Sequence, residues 1–114
     1  MSTARRLLGA ATPDADTDTE LLEVIGPGSL VISSIFICNR NTTDIKFQLW
    51  IVAHNDVAPP RFLYFNRLLG GLETFKVTGG ITPGSAGTSA TGDTLNVRSD
   101  TANVDFTVFG EAAI

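Results

Sequence analysis

The sequence predicts an all-β protein built as a single antiparallel β-sandwich of the jelly-roll or immunoglobulin-like type. About seven short segments are rich in β-branched and aromatic residues, which favour strands. Glycine, proline and asparagine turn signals separate these segments at intervals of about 8–12 residues. No segment carries the period of about 3.6 residues that marks an amphipathic helix. A small closed barrel has the same local pattern, so it stays open as an alternative.

With 114 residues, the chain is expected to form one domain, because it is too short for a second hydrophobic core. We divide the chain into an extended N-terminal arm over residues 1–18 and a sandwich domain over residues 19–114. The arm holds Pro13, small residues and alternating aspartates but has no sustained period. Such a composition is typical of a flexible or partner-ordered terminus.

The first half of the sandwich domain predicts three strands. Residues 20–25 form the first, which ends at the turn Gly26-Pro27-Gly28,. Residues 30–38 are apolar on both parities, as expected when both faces of a strand are covered. Residues 45–53 alternate, which predicts one face in the core and one turned outward. The inward face of that strand holds Ile45, Phe47, Leu49 and Ile51.

The second half predicts four more strands. Residues 61–66 form a short aromatic strand, with Phe62 and Tyr64 on one face and Leu63 and Phe65 on the other,. Residues 72–78 form the next strand, and the stretch 79–93 is a surface loop rich in Gly, Ser and Thr. Residues 94–98 and 103–110 form a closing hairpin. The predicted core comprises Ile35, Ile37, Phe47, Leu49, Ile51, Phe106 and Val108.

Composition excludes several classes of function. A net charge of −4 argues against general nucleic-acid binding, which needs Lys and Arg along the phosphates. The longest apolar run, residues 30–38, is too short for a membrane span of about 20 residues. A single cysteine cannot form an internal disulfide, so we expect synthesis in the cytoplasm. Because 43% of the residues are hydrophobic, apolar surface remains for a protein partner.

Motifs for catalysis or for cofactor binding do not emerge from the sequence. Cys38 and His54 are the one available nucleophile–base pair, and we expect Cys38 to be a buried apolar side chain and His54 a solvated loop residue. The aspartates at 14, 16 and 18 have the spacing of a calcium loop. The glycine and glutamate that such a loop requires are replaced by Thr19 and Ile25,. We therefore expect no enzyme, no cofactor and no metal.

Two features qualify as candidate protein interfaces. Trp50 and Val52 lie on the outward parity of their strand, where they are either covered within the subunit or form a patch for a neighbouring subunit. The second feature is a basic and apolar anchor at the start of the arm, for which a disordered tail is the alternative. This anchor consists of Arg5, Arg6, Leu7 and Leu8.

Two stretches of the sequence resemble small virion proteins of tailed bacteriophages. The first has two parts, residues 21–28 and residues 31–40. The second part is an apolar strand that ends in Cys38-Asn39-Arg40. The second is the closing hairpin, residues 99–111. The resemblance covers about residues 7–114, although the loop 79–93 is longer and richer in Gly, Ser and Thr than the pattern. It implies a β-sandwich with a structural function and no catalytic residues.

The resemblance implies a capsid decoration (cement) protein that binds and stabilises the head shell. Its partners would be the major capsid protein or other virion proteins, and it would form a homo-oligomer, a trimer or dimer at symmetry axes. It would be located in the virion, with no nucleic-acid or membrane partner. The alternatives are a tail, baseplate or fibre-attachment module of the same particle, and a carbohydrate-binding sandwich that stacks sugars on Trp50 and Tyr64.

Overall fold

A computed structural model describes residues 6–23, 28–52, 61–81, 84–85 and 93–113, which form nine strands. Within these ranges there is no helix, and so none with the length and apolar character to cross a membrane. His54 and the rest of its predicted loop lie outside the described residues. The strands are β1 (Arg6–Ala11), β2 (Thr19–Glu23), β3 (Gly28–Asn39), β4 (Ile45–Val52), β5 (Arg61–Leu69), β6 (Thr74–Ile81), β7 (Gly84–Ser85), β8 (Thr94–Ser99) and β9 (Val104–Ala113).

The strands form two antiparallel sheets. The front sheet has the order β1-β9-β3-β6, with the short β7 also paired to β3, and the back sheet has the order β2-β8-β4-β5. The pairs β1–β9, β2–β8, β3–β6 and β4–β5 are nested along the chain. One long hairpin that is rolled over two sheets produces this nesting, which is the topology of a jelly roll. The predicted antiparallel sandwich is confirmed.

Alternation of side chains sorts residues between the core and the outer faces. In β8, for example, Leu95 and Val97 are buried while Asn96 and Arg98 are half-buried on the outer face. Six of the seven predicted core residues have no exposed surface. The seventh, Ile51, is half-buried and packs against the margin of the core. The six are Ile35, Ile37, Phe47, Leu49, Phe106 and Val108.

The N-terminal arm departs from the expectation. Residues 6–11 form β1, the edge strand of the front sheet, and pair with β9 from Arg6 opposite Gly110 to Ala11 opposite Phe106. Leu8 packs against the core. This segment is therefore part of the sandwich, and residues 12–18 connect β1 to β2. The sequence did not reveal the strand because the segment RLLGAA shows no alternation of apolar and polar residues, while its pairing with β9 is made by backbone hydrogen bonds,.

The long sides of the sandwich are closed by different means. On one side β1 lies against β2 so closely that a Cβ atom on Gly9 would overlap the carbonyl oxygen of Leu21. On the other side aromatic rings bridge β5 and β6, with the ring centroids of Tyr64 and Phe75 5.3 Å apart. The guanidinium of Arg67 lies 4.2 Å from the centroid of the Phe75 ring. Close backbone contact thus closes one side, and aromatic and cation–π contacts bridge the other.

One end of the sandwich is tied together by the buried side chain of Asn39. Its amide nitrogen Nδ2 donates to the carbonyl oxygens of Thr43, Leu69 and Gly70 at 2.9, 3.3 and 3.0 Å. Its oxygen Oδ1 accepts from the backbone N–H and the side-chain amide of Asn41. Since these partners belong to the β3–β4 and β5–β6 connections, one side chain holds two loops in place.

Cys38 is exposed more than expected. Because Ile35, Ile37 and Asn39 point into the sandwich, the intervening Cys38 points outward and is half-buried on the front sheet,. The expectation of a fully buried thiol was wrong. An apolar run on both parities predicted a strand covered on both faces, whereas the outer face of β3 is covered only in part.

We expect Phe47→Ala to lower the free energy of unfolding by about 3–5 kcal/mol, because it leaves a cavity in the centre of the core. The ring of Phe47 contacts those of Tyr64, Phe75 and Phe106 at centroid distances of 6.0–6.2 Å. The matched control is Phe65→Ala, at a ring that is 62% exposed, which should change stability by less than about 1 kcal/mol. Equal denaturant midpoints for the two variants would contradict the core assignment.

We expect Asn39→Ala to cost about 2–4 kcal/mol of unfolding free energy. The substitution removes the donor that Asn39 supplies to the carbonyl oxygens of Thr43 and Leu69, at about 1–3 kcal/mol for each that is left unpaired,. Asn96→Ala is the control, since the Asn96 amide donates to Thr94 Oγ1 on the outer face. It should cost less than about 1 kcal/mol. Urea titration of both variants provides the measurement, and a similar loss in both would show that Asn39 ties nothing together.

Candidate interaction surfaces

The exposed large apolar side chains of the described residues form two groups on different sheets. The β5 surface lies along one edge of the back sheet, and the front-sheet surface lies on the outer face of the other sheet. The β5 surface consists of Phe62, Leu63, Phe65, Leu68 and Leu72, which are 43, 38, 62, 58 and 69% exposed. The front-sheet surface consists of Leu7, Val31 and Phe109, which are 55, 40 and 37% exposed, together with the half-buried Phe36.

Bulges in β5 determine which of its side chains face outward. Lys46 pairs with Leu68 and Phe47 with Arg67, but Leu49 then pairs with Tyr64, and Trp50 with Phe62. Between these pairs β5 contributes two residues more than β4, so its strict alternation is interrupted twice. Asn66, in one of the interruptions, has a positive φ of 51°.

The bulges bring Phe62 and Phe65 onto the same outer face. Their rings meet edge to face with centroids 4.9 Å apart, whereas alternation predicted opposite faces. Phe62 also lies 5.4 Å from the ring of Trp50, which is only 7% exposed. Trp50 is therefore covered within the subunit, the first of the two interpretations of its position. The half-buried Val52 follows it at the end of β4.

β5 is an edge strand with large apolar side chains that are exposed to solvent, which is unusual. Of its nine residues only Leu69 is buried. An exposed edge strand is usually kept short or protected by charge, because its free N–H and C=O groups and apolar side chains attract other chains. Here the strand carries several large apolar side chains and two arginines. Such a surface is typical of a site of protein contact.

Leu72 occupies a conformation that its side chain disfavours. It lies in the turn after β5 with φ of 61°, where the left-handed region costs a non-glycine residue roughly 1–2 kcal/mol. Two glycines, Gly70 and Gly71, precede it, yet leucine stands at the strained position and is 69% exposed. Neither packing nor backbone geometry of the subunit explains this choice. Strain of this kind is often retained for function.

The front-sheet surface is formed by side chains of neighbouring strands that contact one another. Leu7 of β1 pairs with Phe109 of β9, and the ring of Phe109 meets that of Phe36 edge to face with centroids 5.9 Å apart. The ammonium of Lys76 lies 5.5 Å from the centroid of the Phe36 ring. The patch thus spans β1, β9 and β3, with the charged Lys76 of β6 beside it. Its backing by paired strands makes it rigid.

The acidic residues of the connection between β1 and β2 are partly neutralised by one arginine. Arg98 forms an ion pair with Asp18 at 2.9 Å and lies 3.8 Å from Asp16. Lys46, Gln48 and Asn66 complete a shallow polar depression beside them. In the part of the chain that the structure describes, no three His, Cys, Asp or Glu side chains meet in a group that could hold a metal ion.

The structure separates the residues of the predicted anchor. Arg5 lies outside the described residues, and only the backbone of Arg6 is described, in β1. Leu7 is exposed, but Leu8 packs against the core. Tyr64 likewise faces inward, against Phe47, so it cannot share a sugar-stacking face with Trp50. The predicted carbohydrate platform does not form.

Sequence reasoning missed the exposed residues of β5. The bulges could not be foreseen from local composition, and without them Phe65 and Phe62 fall on opposite faces. One signal was available: residues 61–69 are apolar on both parities and carry two arginines. A buried strand would not hold both arginines, so the stretch indicated an exposed strand with apolar side chains.

No protein-family model matches the chain, and no curated protein matches its sequence. Solved structures of infectious bursal disease virus particles do resemble the fold. The chain of the Gx strain aligns over 95% of this protein with a TM-score of 0.54 and 10% identity. The chain of the VP2 subviral particle aligns over 97% with a TM-score of 0.55 and 9% identity.

A third structure, of the T13 viral particle of the same virus, aligns over 97% of this protein with a TM-score of 0.55 and 8% identity. The protein spans about a third of each of these chains, 30–32% of their length. At such identities the likeness is one of fold. It shows that a β-sandwich of this size and connection occurs within larger chains of a virus particle.

We expect Leu72→Gly to raise the free energy of unfolding by roughly 0.5–1 kcal/mol, because glycine adopts a positive φ without strain and its extra chain entropy offsets only part of the gain. The matched control is Leu68→Gly in β5, which is similarly exposed but does not have a positive φ. It should lower stability by about 0.5–1 kcal/mol. Thermal melts compare the two, and a loss in both would show that the turn is not strained.

Proposed function

We propose that this protein is a structural component of a virus particle, a decoration (cement) protein that binds the head shell of a tailed bacteriophage and stabilises it. The observation that carries the proposal is the apolar front-sheet surface on a rigid jelly roll. The likeness of the fold to chains of a virus particle supports it. So does the resemblance of residues 21–40 and 99–111 to small phage virion proteins.

The front-sheet surface has the anatomy of a protein interface. Its centre is apolar, and charged groups lie beside it, as at the rim of typical interfaces. Arg40 and Asp105 form an ion pair at 2.8 Å, and the Thr12 hydroxyl donates to the same carboxylate at 2.7 Å. Rim charges held in place by such bonds would set the register on a partner without a large desolvation cost.

A shell protein is the partner that we assign to this surface. The patch lies on paired strands, so it suits a preformed partner surface such as a shell rather than a flexible peptide. Each contact would be modest, but a shell offers many equivalent sites. Small contributions repeated by symmetry can therefore stabilise the whole particle against internal pressure.

The copy number of this protein in purified particles tests the proposal. Quantitative mass spectrometry against the major capsid protein should give on the order of hundreds of copies, as repeated sites on a symmetric shell require. A few to a few dozen copies would favour the alternative, a tail, baseplate or fibre-attachment module. Absence from purified particles would refute a virion role.

The front-sheet surface is tested by Leu7→Ser with Phe109→Ser in the same chain. Added to undecorated particles, this variant should occupy at least about tenfold fewer sites at limiting concentration, because truncation at the centre of an interface costs the most affinity. The control carries two substitutions on the back sheet, Lys46→Ser and Asn96→Ser, and should bind like the parent. Equal binding of both variants would move the attachment site elsewhere.

A further inference from the structure

We propose that this protein forms a two-fold symmetric dimer through the β5 surface, with the β5 strands of two copies antiparallel and Phe65 nearest the axis. The inference goes beyond attachment to a shell and does not depend on it, since it concerns the purified chain alone. The occupant of the β5 surface is a second copy of the same surface. Four observations lead to this assignment.

The first observation is that the apolar pattern of β5 matches itself when reversed. A two-fold interface brings the same patch of both subunits together, so each residue must suit its counterpart in the opposite direction. Phe62, Phe65 and Leu68 are spaced three apart and are 43, 62 and 58% exposed. Reversal about Phe65 exchanges Phe62 with Leu68, so an apolar side chain meets an apolar side chain at each of these three positions, while Leu63 meets the arginine at 67.

The second observation is the distribution of charge along the strand. Arg61 lies at the start of β5, and the acidic Glu73 and Asp44 lie at the turn beyond its end, where Asp44 Oδ1 accepts from the backbone N–H of Gly71 at 3.3 Å. Antiparallel copies place Arg61 beside the acidic turn of the partner. A parallel arrangement would place Arg61 beside its own copy, which like charges oppose.

The third observation is the exposed and strained Leu72. It is an exposed apolar side chain just past the end of β5, in a backbone conformation that costs the isolated subunit energy,. Nine strand residues at about 3.3 Å each make a stripe roughly 30 Å long. With the width that β4 and the turn add, this length suits an interface of standard size, about 800 Å² per partner.

The fourth observation is the pair of bulges in β5. They interrupt the free edge, so a second strand cannot pair along it in a continuous ladder. The contact is therefore made by side chains of the outer face rather than by extension of the sheet. A side-chain contact about a two-fold axis closes on itself, whereas free edges would allow further copies to add.

Sedimentation of the purified full-length chain over a range of concentrations tests the dimer. The parent should show a reversible monomer–dimer equilibrium. Phe65→Ser with Leu68→Ser should weaken the dimer at least about tenfold, as expected for truncation at an interface centre, and circular dichroism should confirm that the variant is folded. The matched control, Leu7→Ser with Phe109→Ser on the front sheet, should dimerise like the parent.

Thiol cross-linking with a short bismaleimide tests the symmetry, in a Cys38→Ser background that removes the native thiol. A bifunctional reagent is used because two sheets in face-to-face contact lie about 10 Å apart, beyond the reach of a disulfide. Phe65→Cys should cross-link to itself, since the axis passes close to it. Phe62→Cys and Leu68→Cys should not cross-link alone, because the like residues lie about 20 Å apart across the axis, too far for the reagent. Mixed together, these two variants should cross-link to each other.

Three results would overturn the inference. A parent that remains monomeric at hundreds of micromolar would assign the β5 surface to a different protein. Cross-linking of Phe62→Cys to itself would show a parallel arrangement, and efficient cross-linking of Phe109→Cys would place the contact on the front sheet. None of these results alters the copy number in particles, so a failure of this inference and a failure of the virion role are distinguishable.

Discussion

The front sheet is organised by the pairing of its two longest strands, β3 and β9. Ten residue pairs join them, from Ser29 opposite Ala113 to Asn39 opposite Val104. β1 adds beside β9 and β6 beside β3, and the back sheet repeats the same nested order. Contacts between residues so far apart in sequence are entropically costly to form. The jelly roll therefore depends on the apolar side chains that this pairing brings into the core.

Much of the fold could be predicted because the strands that form the centre of the core alternate between buried and outward side chains. In β4 and β9 the residues Phe47, Leu49, Phe106 and Val108 fall on one parity, and a sheet with one buried face requires that pattern. The failures have a common cause. β1 carries no pattern, and the bulges of β5 break the pattern that it has, so in both cases pairing with a distant strand decides the outcome. Local sequence does not contain that information.

The two apolar surfaces have different physical characters. The front-sheet surface spans three neighbouring strands that are paired to one another, whereas the β5 surface follows a single edge strand interrupted by two bulges. Because they lie on different sheets, occupation of one does not block the other.

The pairing of β1 with β9 has a consequence for chain connectivity. Arg6 lies opposite Gly110, so the sandwich is entered and left at neighbouring points on one edge of the front sheet. A domain with adjacent entry and exit can be inserted into a surface loop of another protein without stretching the host. The same closeness of residues 6 and 110 favours circular permutation, in which a short linker joins these two regions and new termini are made in a distant loop.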